Sequence, residues 1–214
     1  MAAKRNSEPV VRALISMSYQ LDTPKHNGIT ALGIASYRGH IHLIEILTKA
    51  GANPHLLNHV GIGTMYLALK GDQIQAVECL LGLGVAVWSS EPAQRDNSPV
   101  FLAVRRKRMQ ALGRFVDKLG KKVFEKFVDS NGLTPLVVAA HTSNFDVIDY
   151  FSLRGISLNQ TDNDGYSILF LVLLQHNDFL AAKLLQRGAS INFPNEQGRT
   201  ALTMAIIKKN KAII

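Results

Sequence analysis

Apolar residues recur along this chain in short bursts at helical spacing, separated by polar stretches rich in Asn, Asp and Gly. Ile41, Ile44 and Leu47 share one helix face, as do Val77, Leu80 and Leu81. Before each such burst comes a shorter one, richer in small residues. Thr134-Pro135 and Ser98-Pro99 open two of these shorter bursts. A hydroxyl there caps the first amides, and proline sits where no amide hydrogen is needed. Gly39 permits a tight turn between a short and a long burst. Gly51, Gly155 and Gly188 end long bursts as C-terminal caps. The pattern predicts a helix-turn-helix unit closed by a projecting hairpin of roughly ten residues.

The unit repeats. Gly28 and Gly61, then Gly132, Gly165 and Gly198, stand 33 residues apart within each run. A second register, seven residues on, holds Ala35, Ala68, Ala103, Ala139, Val172 and Ala205, and a third holds Gly51, Gly84, Gly155 and Gly188. The steps flanking Ala103 are 35 and 36, which places short insertions in the middle of the array; insertions belong in loops. No single unit can bury its own apolar faces, so neighbouring units must stack into one core.

Several motifs now carry a family resemblance. They are Gly132-Leu-Thr-Pro-Leu-Val-Val-Ala-Ala140, Gly28-Ile-Thr-Ala-Leu-Gly-Ile-Ala35, Arg38-Gly-His40, Ala50-Gly-Ala-Asn53, Arg187-Gly-Ala-Ser-Ile-Asn192 and Gly198-Arg-Thr-Ala-Leu202. In these the chain resembles the ankyrin repeat family. The resemblance implies an all-α fold, an ankyrin repeat solenoid of stacked helix-turn-helix units with projecting β-hairpin loops. Its units fall near residues 25–57, 58–92, 93–128, 129–161, 162–194 and 195–214, the last truncated, within a repeat domain of 25–214. The amphipathic stretch Val10–Met17 predicts an N-terminal capping helix within residues 1–24. The truncated last unit suggests a fragment of a longer protein. The pattern has departures. Unit two reads Gly61-Ile-Gly-Thr-Met65, Lys107 replaces the turn glycine of unit three, and a long hairpin region runs from Gly120 to Asp129. A finger, Val87–Asp96, carries the only tryptophan, Trp88.

Composition narrows the function. A chain with 47% apolar and 19% charged residues can bury a core. Its one cysteine, Cys79, forms no intrachain disulfide and suits a cytosolic or nuclear setting; its place on the apolar second helix of unit two makes it a core residue. The longest apolar run, Ile168–Leu174, is far short of a membrane span. Phosphate-binding glycine loops and nucleophile elbows are missing, so no catalytic residue and no cofactor are expected. The histidines fall in pairs, His40 with His42 at the first turn, His55 with His59 in the first hairpin and His26 one period before His59, but a metal site needs a third ligand and a defined geometry; His40 matches the Gly-His turn, where the family's imidazole bonds the turn. Asp162 and Asp164 lie in a turn sequence, Thr161-Asp-Asn-Asp-Gly165, so no metal is expected.

Charge adds one feature. Of the net +8, +7 falls between Arg105 and Lys126, where nine basic residues face only Asp117 and Glu125. The basic patch comprises Lys107, Arg108, Arg114, Lys121, Lys122 and Lys126.

The resemblance implies binding through hairpin tips and inner-helix ends that together form a concave groove. By position those are His26, Asn27, Ile29, Tyr37 and Arg38, then His59, Val60, Ile62 and Lys70, then Gln94, Arg95, Arg105 and Arg106. Further on come Ser130, Asn131, Leu133, His141 and Thr142, then Asp164, Tyr166, Leu174 and Gln175, and last Arg199 and Lys208. The interface anchors expected from side-chain type are Tyr37, Arg38, Trp88, Arg105, Arg106 and Tyr166. The implied function is a non-catalytic protein-protein interaction module, or scaffold, taking another protein or an acidic or phosphorylated peptide. Two alternatives remain: an electrostatic binder of nucleic acid or anionic membrane, and a regulatory domain of a larger enzyme or channel.

Overall fold

Hydroxyls cap several inner helices, Thr134 among them as the sequence pattern expects, whereas the Ser98 hydroxyl, expected to cap the helix that starts at Pro99, accepts instead from the Ser89 amide at 3.0 Å and so ties down the preceding loop. The computed structural model describes Ala3, residues 6–25 and residues 28–207. Among these residues the helices are α1 (Glu8–Ser16), α2 (Ala31–Arg38), α3 (Ile41–Lys49), α4 (Thr64–Lys70), α5 (Ile74–Gly82), α6 (Pro99–Arg105) and α7 (Met109–Leu119). They continue with α8 (Lys121–Phe124), α9 (Pro135–His141), α10 (Phe145–Leu153), α11 (Ile168–Leu174), α12 (Asp178–Gln186) and α13 (Ala201–Ile207). Thr30 caps α2 by accepting from the Gly33 amide, Thr134 caps α9 through Val137, and Ser167 caps α11 through Phe170. Unit two differs as its sequence does: Gly63 takes the cap position, and the Thr64 hydroxyl donates instead to the Pro54 carbonyl at 2.7 Å.

The helix-helix turn is the same each time. One residue turns left-handed: Gly39, Asp72, Lys107, Ser143 and His176, at φ of 71°, 60°, 53°, 53° and 59°. The next amide then reaches back to the alanine register, His40 to Ala35 at 3.0 Å, Gln73 to Ala68 at 2.9 Å and Asn144 to Ala139 at 2.9 Å. Ala35, Ala68, Ala103 and Ala139 are fully buried, which is why the register tolerates only small or compact side chains. The imidazole of His40 does not join this turn: its Nε2 is buried without a hydrogen-bond partner among the described residues, so the backbone alone makes the turn.

Two compact units emerge, one of Met1–Ala103 with Gln110–Lys118, the other of Val104–Met109 with Leu119–Ile214. In the first, α2 packs on α4 and each on its own outer helix, α3 or α5. Inner helices touch almost backbone to backbone: a Cβ on Gly71 would lie 2.0 Å from the Tyr37 carbonyl oxygen. Helix α1 packs on α3. It begins at Glu8, as α3 begins at Ile41 and α5 at Ile74, and so keeps the register of the second helices. Left-handed Asn6 and Ser18 flank it as Gly39 and Gly51 flank α3.

In the second unit, α9 packs on α11 and α11 on α13, with α10 and α12 as the outer pair. Asp149 of α10 pairs with Arg187 and, at 3.3 Å, with Lys183, while Arg187 also donates to Ser152. Burial works against the Asp149 carboxylate, but its hydrogen bonds to Arg187 and Lys183 prevail and hold its pKa below the ordinary value. The stretch expected to be a long hairpin is instead the single turn α8, because Phe124 and Phe127 bury there. The Phe124 ring meets Phe151 edge-on at 5.5 Å.

The loops between units are built on one Asx position. Asn58, Asp129, Asp162 and Asn195 each accept two amides through one side-chain oxygen, as Asp162 does from Asp164 at 3.1 Å and Tyr166 at 2.9 Å. Turn chemistry thus explains the Asp162–Asp164 pair. The hairpins themselves are slight: among the described residues they carry the isolated bridges Leu57–Gly63 and Thr161–Ser167. No helix there is long and apolar enough to cross a membrane.

Candidate interaction surface

Inner helices end on the exposed side of the first unit. Tyr37 and Arg38 close α2, Lys70 closes α4, and all three are exposed. The Arg38 guanidinium sits over the Tyr37 ring, 6.0 Å from its centroid. Beneath them lies an open cavity of about 340 Å³, floored by Ile29, Gly33, Ile34 and Leu67 and rimmed by Lys25, Tyr37, Arg38 and Lys70. Four of these residues, Ile29, Tyr37, Arg38 and Lys70, were expected from the repeat register. Lys25, Gly33, Ile34 and Leu67 were not. The signal for two of the four was present, since Ile34 and Leu67 stand one period apart, as Tyr37 and Lys70 do.

Trp88 turns inward. Its ring is half-buried, Arg95 lies over it at 5.9 Å, and the 3-10 turn Pro92–Asn97 follows close behind. With Leu57, Met65 and Val85 it lines a small apolar cavity of about 70 Å³. The tryptophan therefore packs its loop down rather than projecting from its tip.

The basic window is partly neutralised. Lys107 reaches Asp146 at 2.9 Å, and Arg114 reaches Glu78 at 2.7 Å. Arg108 is half-buried. Arg105, at the end of α6, and Arg106 are exposed, as are Lys121 and Lys122 on α8 and Lys126 just beyond it. Tyr166 is half-buried and stacks on Phe170 with ring centroids 4.5 Å apart.

Cys79 on α5 is half-buried rather than fully in the core, and burial, with some help from Glu45, raises its thiol pKa. The thiol is thus held protonated, in keeping with a packing role. His141 meets the buried Asp162 at 3.1 Å, a pair that ties the end of α9 to the next loop. Among the described residues no three His, Cys, Asp or Glu side chains gather as metal ligands would. His26, Asn27 and Lys208 lie outside the described residues.

With this geometry in hand, comparison with known proteins is direct. Residues 1–48 match the family described as ankyrin repeats (many copies), and residues 131–163 match the ankyrin repeat itself. The chain is 23% identical over 212 residues to a transient receptor potential cation channel subfamily A member 1 homolog of Caenorhabditis elegans, covering 97% of this chain and 16% of that protein. It is 28% identical over 82 residues to a putative ankyrin repeat protein of Borreliella burgdorferi, covering 38% of this chain and 37% of that one. The chain thus spans well under two thirds of the length of either relative. Among solved structures, the ankyrin repeat domain of Bcl-3, a member of the IkappaB protein family, superposes with a TM-score of 0.82 at 20% identity, covering 95% and 91% of the two chains. The human ASB11 ankyrin repeat domain gives 0.74 at 21% identity, covering 95% and 89%. These likenesses establish the fold. Ankyrin repeat domains are generally non-catalytic and generally serve protein-protein interaction.

Proposed function

We propose that this chain, which is built of ankyrin repeats, binds another protein through the exposed ends of its inner helices and the loops beside them. The observation that carries the reading is the open cavity of about 340 Å³ in the first unit, with an aromatic ring and an arginine on its rim. Tyrosine and arginine are the side chains that most often anchor an interface. In the second unit the contact residues by the same logic are Arg105, Arg106 and Tyr166. The excess of exposed cations there favours an acidic or phosphorylated partner, in the cytosol or nucleus.

A photo-crosslinking residue placed at Tyr37 should capture a partner that the same residue at Lys49, on outer helix α3, does not. Equal capture from both positions overturns the assignment of the face.

The channel relative supports a second reading. A match covering 97% of this chain and only 16% of that protein fits a role as the regulatory part of a longer polypeptide. Sequencing the complete transcript tests it: an open reading frame without membrane-spanning segments rules out the channel.

A further inference from the structure

The cavity beneath Tyr37 and Arg38 has a chemistry of its own. Its floor is apolar, formed by Ile29, Ile34 and Leu67. Its rim holds three cations, Lys25, Arg38 and Lys70, and among the described residues no carboxylate lines it. None of the three cations is in an ion pair among the described residues, whereas Lys107 and Arg114 each have a carboxylate partner. Tyr37, 40% exposed, lines the same cavity, with Arg38 over its ring. The volume lies at the lower end of the range for small-ligand pockets, about 300–1,000 Å³. That is room for a short stretch of chain and not for a folded surface.

We infer that this cavity binds an extended acidic segment of a partner protein, with one aliphatic side chain on the Ile29–Ile34–Leu67 floor and flanking carboxylates on Lys25, Arg38 and Lys70. The apolar floor selects the side chain by removing it from water. The like-charged rim selects the flanking carboxylates and rejects basic sequences. Nucleic acid fits poorly: single strands are held by stacking several bases on aromatic rings, and the cavity offers one ring over an aliphatic floor. The inference rests on the reading of the chain as a protein binder and adds to it the ligand and the place.

The test uses the whole chain, isotopically labelled, titrated with the capped peptide Asp-Glu-Leu-Glu-Asp. Saturable amide shifts are expected at Ile34, Tyr37, Arg38 and Lys70. Replacing the peptide leucine by glycine, or the peptide acids by lysine, should abolish saturation. In the chain, Lys25→Glu with Lys70→Glu should weaken binding about tenfold, as two reversed exposed pairs imply. Lys49→Glu on α3 should leave it unchanged. All three variant positions are exposed, and coincident thermal melts confirm that the fold is intact. Absence of saturable shifts, shifts confined to other residues, or equal affinity for the lysine peptide each overturns the inference. So does an oligothymidylate that binds these residues where the peptide does not. If a partner is still captured from Tyr37 but its capture is indifferent to Lys25→Glu with Lys70→Glu, the acidic-segment inference fails and the protein-binding reading stands.

Discussion

Replacing Gly71 with alanine tests what sets the spacing of α2 and α4, and with it the rim of the cavity. Gly71 has an ordinary helical conformation, φ −82° and ψ −3°, so its value lies in the missing side chain and not in backbone freedom. A Cβ would stand 2.0 Å from the carbonyl oxygen of Tyr37, where real contacts essentially never fall below 3.0 Å. The obstacle is backbone, so no rotamer change relieves it. The helices must part by about 1 Å, a gap that forfeits a quarter to a half of the dispersion attraction between facing atoms. The atoms at risk belong to Leu32, Ala35 and Ala68, all fully buried. Overpacking of this kind costs about 1–3 kcal/mol, offset by up to about 1 kcal/mol from removing a flexible glycine. The net loss is about 1–2 kcal/mol, and in a chain of this length the melting temperature should fall by about 2–8 °C. Gly82→Ala is the internal control. Gly82 ends α5 and nothing lies within 4 Å of its would-be Cβ, so alanine there should raise stability by about 0.5–1 kcal/mol. Circular dichroism melts of the two variants decide the matter. A Gly71→Ala protein that melts at or above the parent temperature refutes the close-approach argument.

Three further outcomes are expected. Lys107→Gly should stabilise the protein by about 0.5–1 kcal/mol, because Lys107 is held at φ 53° and the exposed Asp146 pair it gives up is worth little; urea titration reads the gain, and a loss would refute the strain. Phe124→Ala should cost about 3–5 kcal/mol, since the ring is 1% exposed and packs edge-on to Phe151; an unchanged urea midpoint would show that α8 is not anchored there. Asp149→Asn should destabilise the chain at neutral pH. Because the folded pKa of Asp149 is lowered, its stabilisation is present above the ordinary carboxylate range and is lost as pH falls through the folded value. The difference between variant and parent should therefore shrink on acidification, and a difference independent of pH would sink the assignment.

The helix pairs and their turn positions are legible in the chain because a fixed period ties residue type to structural role. The alanine register marks the acceptors of the turn bonds, and the Asx register marks the loops. By its place in the repeat Gly120–Asp129 reads as a hairpin region, yet it holds a helical turn, Lys121–Phe124, with Phe124 and Phe127 buried. Only their burial shows that one helical turn is worth forming there. The packing of Trp88 is likewise a tertiary fact: a lone tryptophan in a long loop gives no sign in sequence of the Arg95 that lies over it.

Charge shows the divide between sequence and structure most clearly. The sequence alone fixes that nearly all the excess positive charge lies between Arg105 and Lys126, and on that count the middle of the array is where an acidic ligand should go. Tertiary structure decides which cations remain available. It spends Lys107 on Asp146 and Arg114 on Glu78, residues 39 and 36 positions away, because a carboxylate in space counts and a neighbour in sequence does not. It also draws Lys25, Arg38 and Lys70, a sparse set in the sequence, around one apolar floor. A repeat period specifies what each position does within its own unit. Which side chains of different units meet depends on how closely the helices approach, and that is set by contacts such as Gly71 on Tyr37.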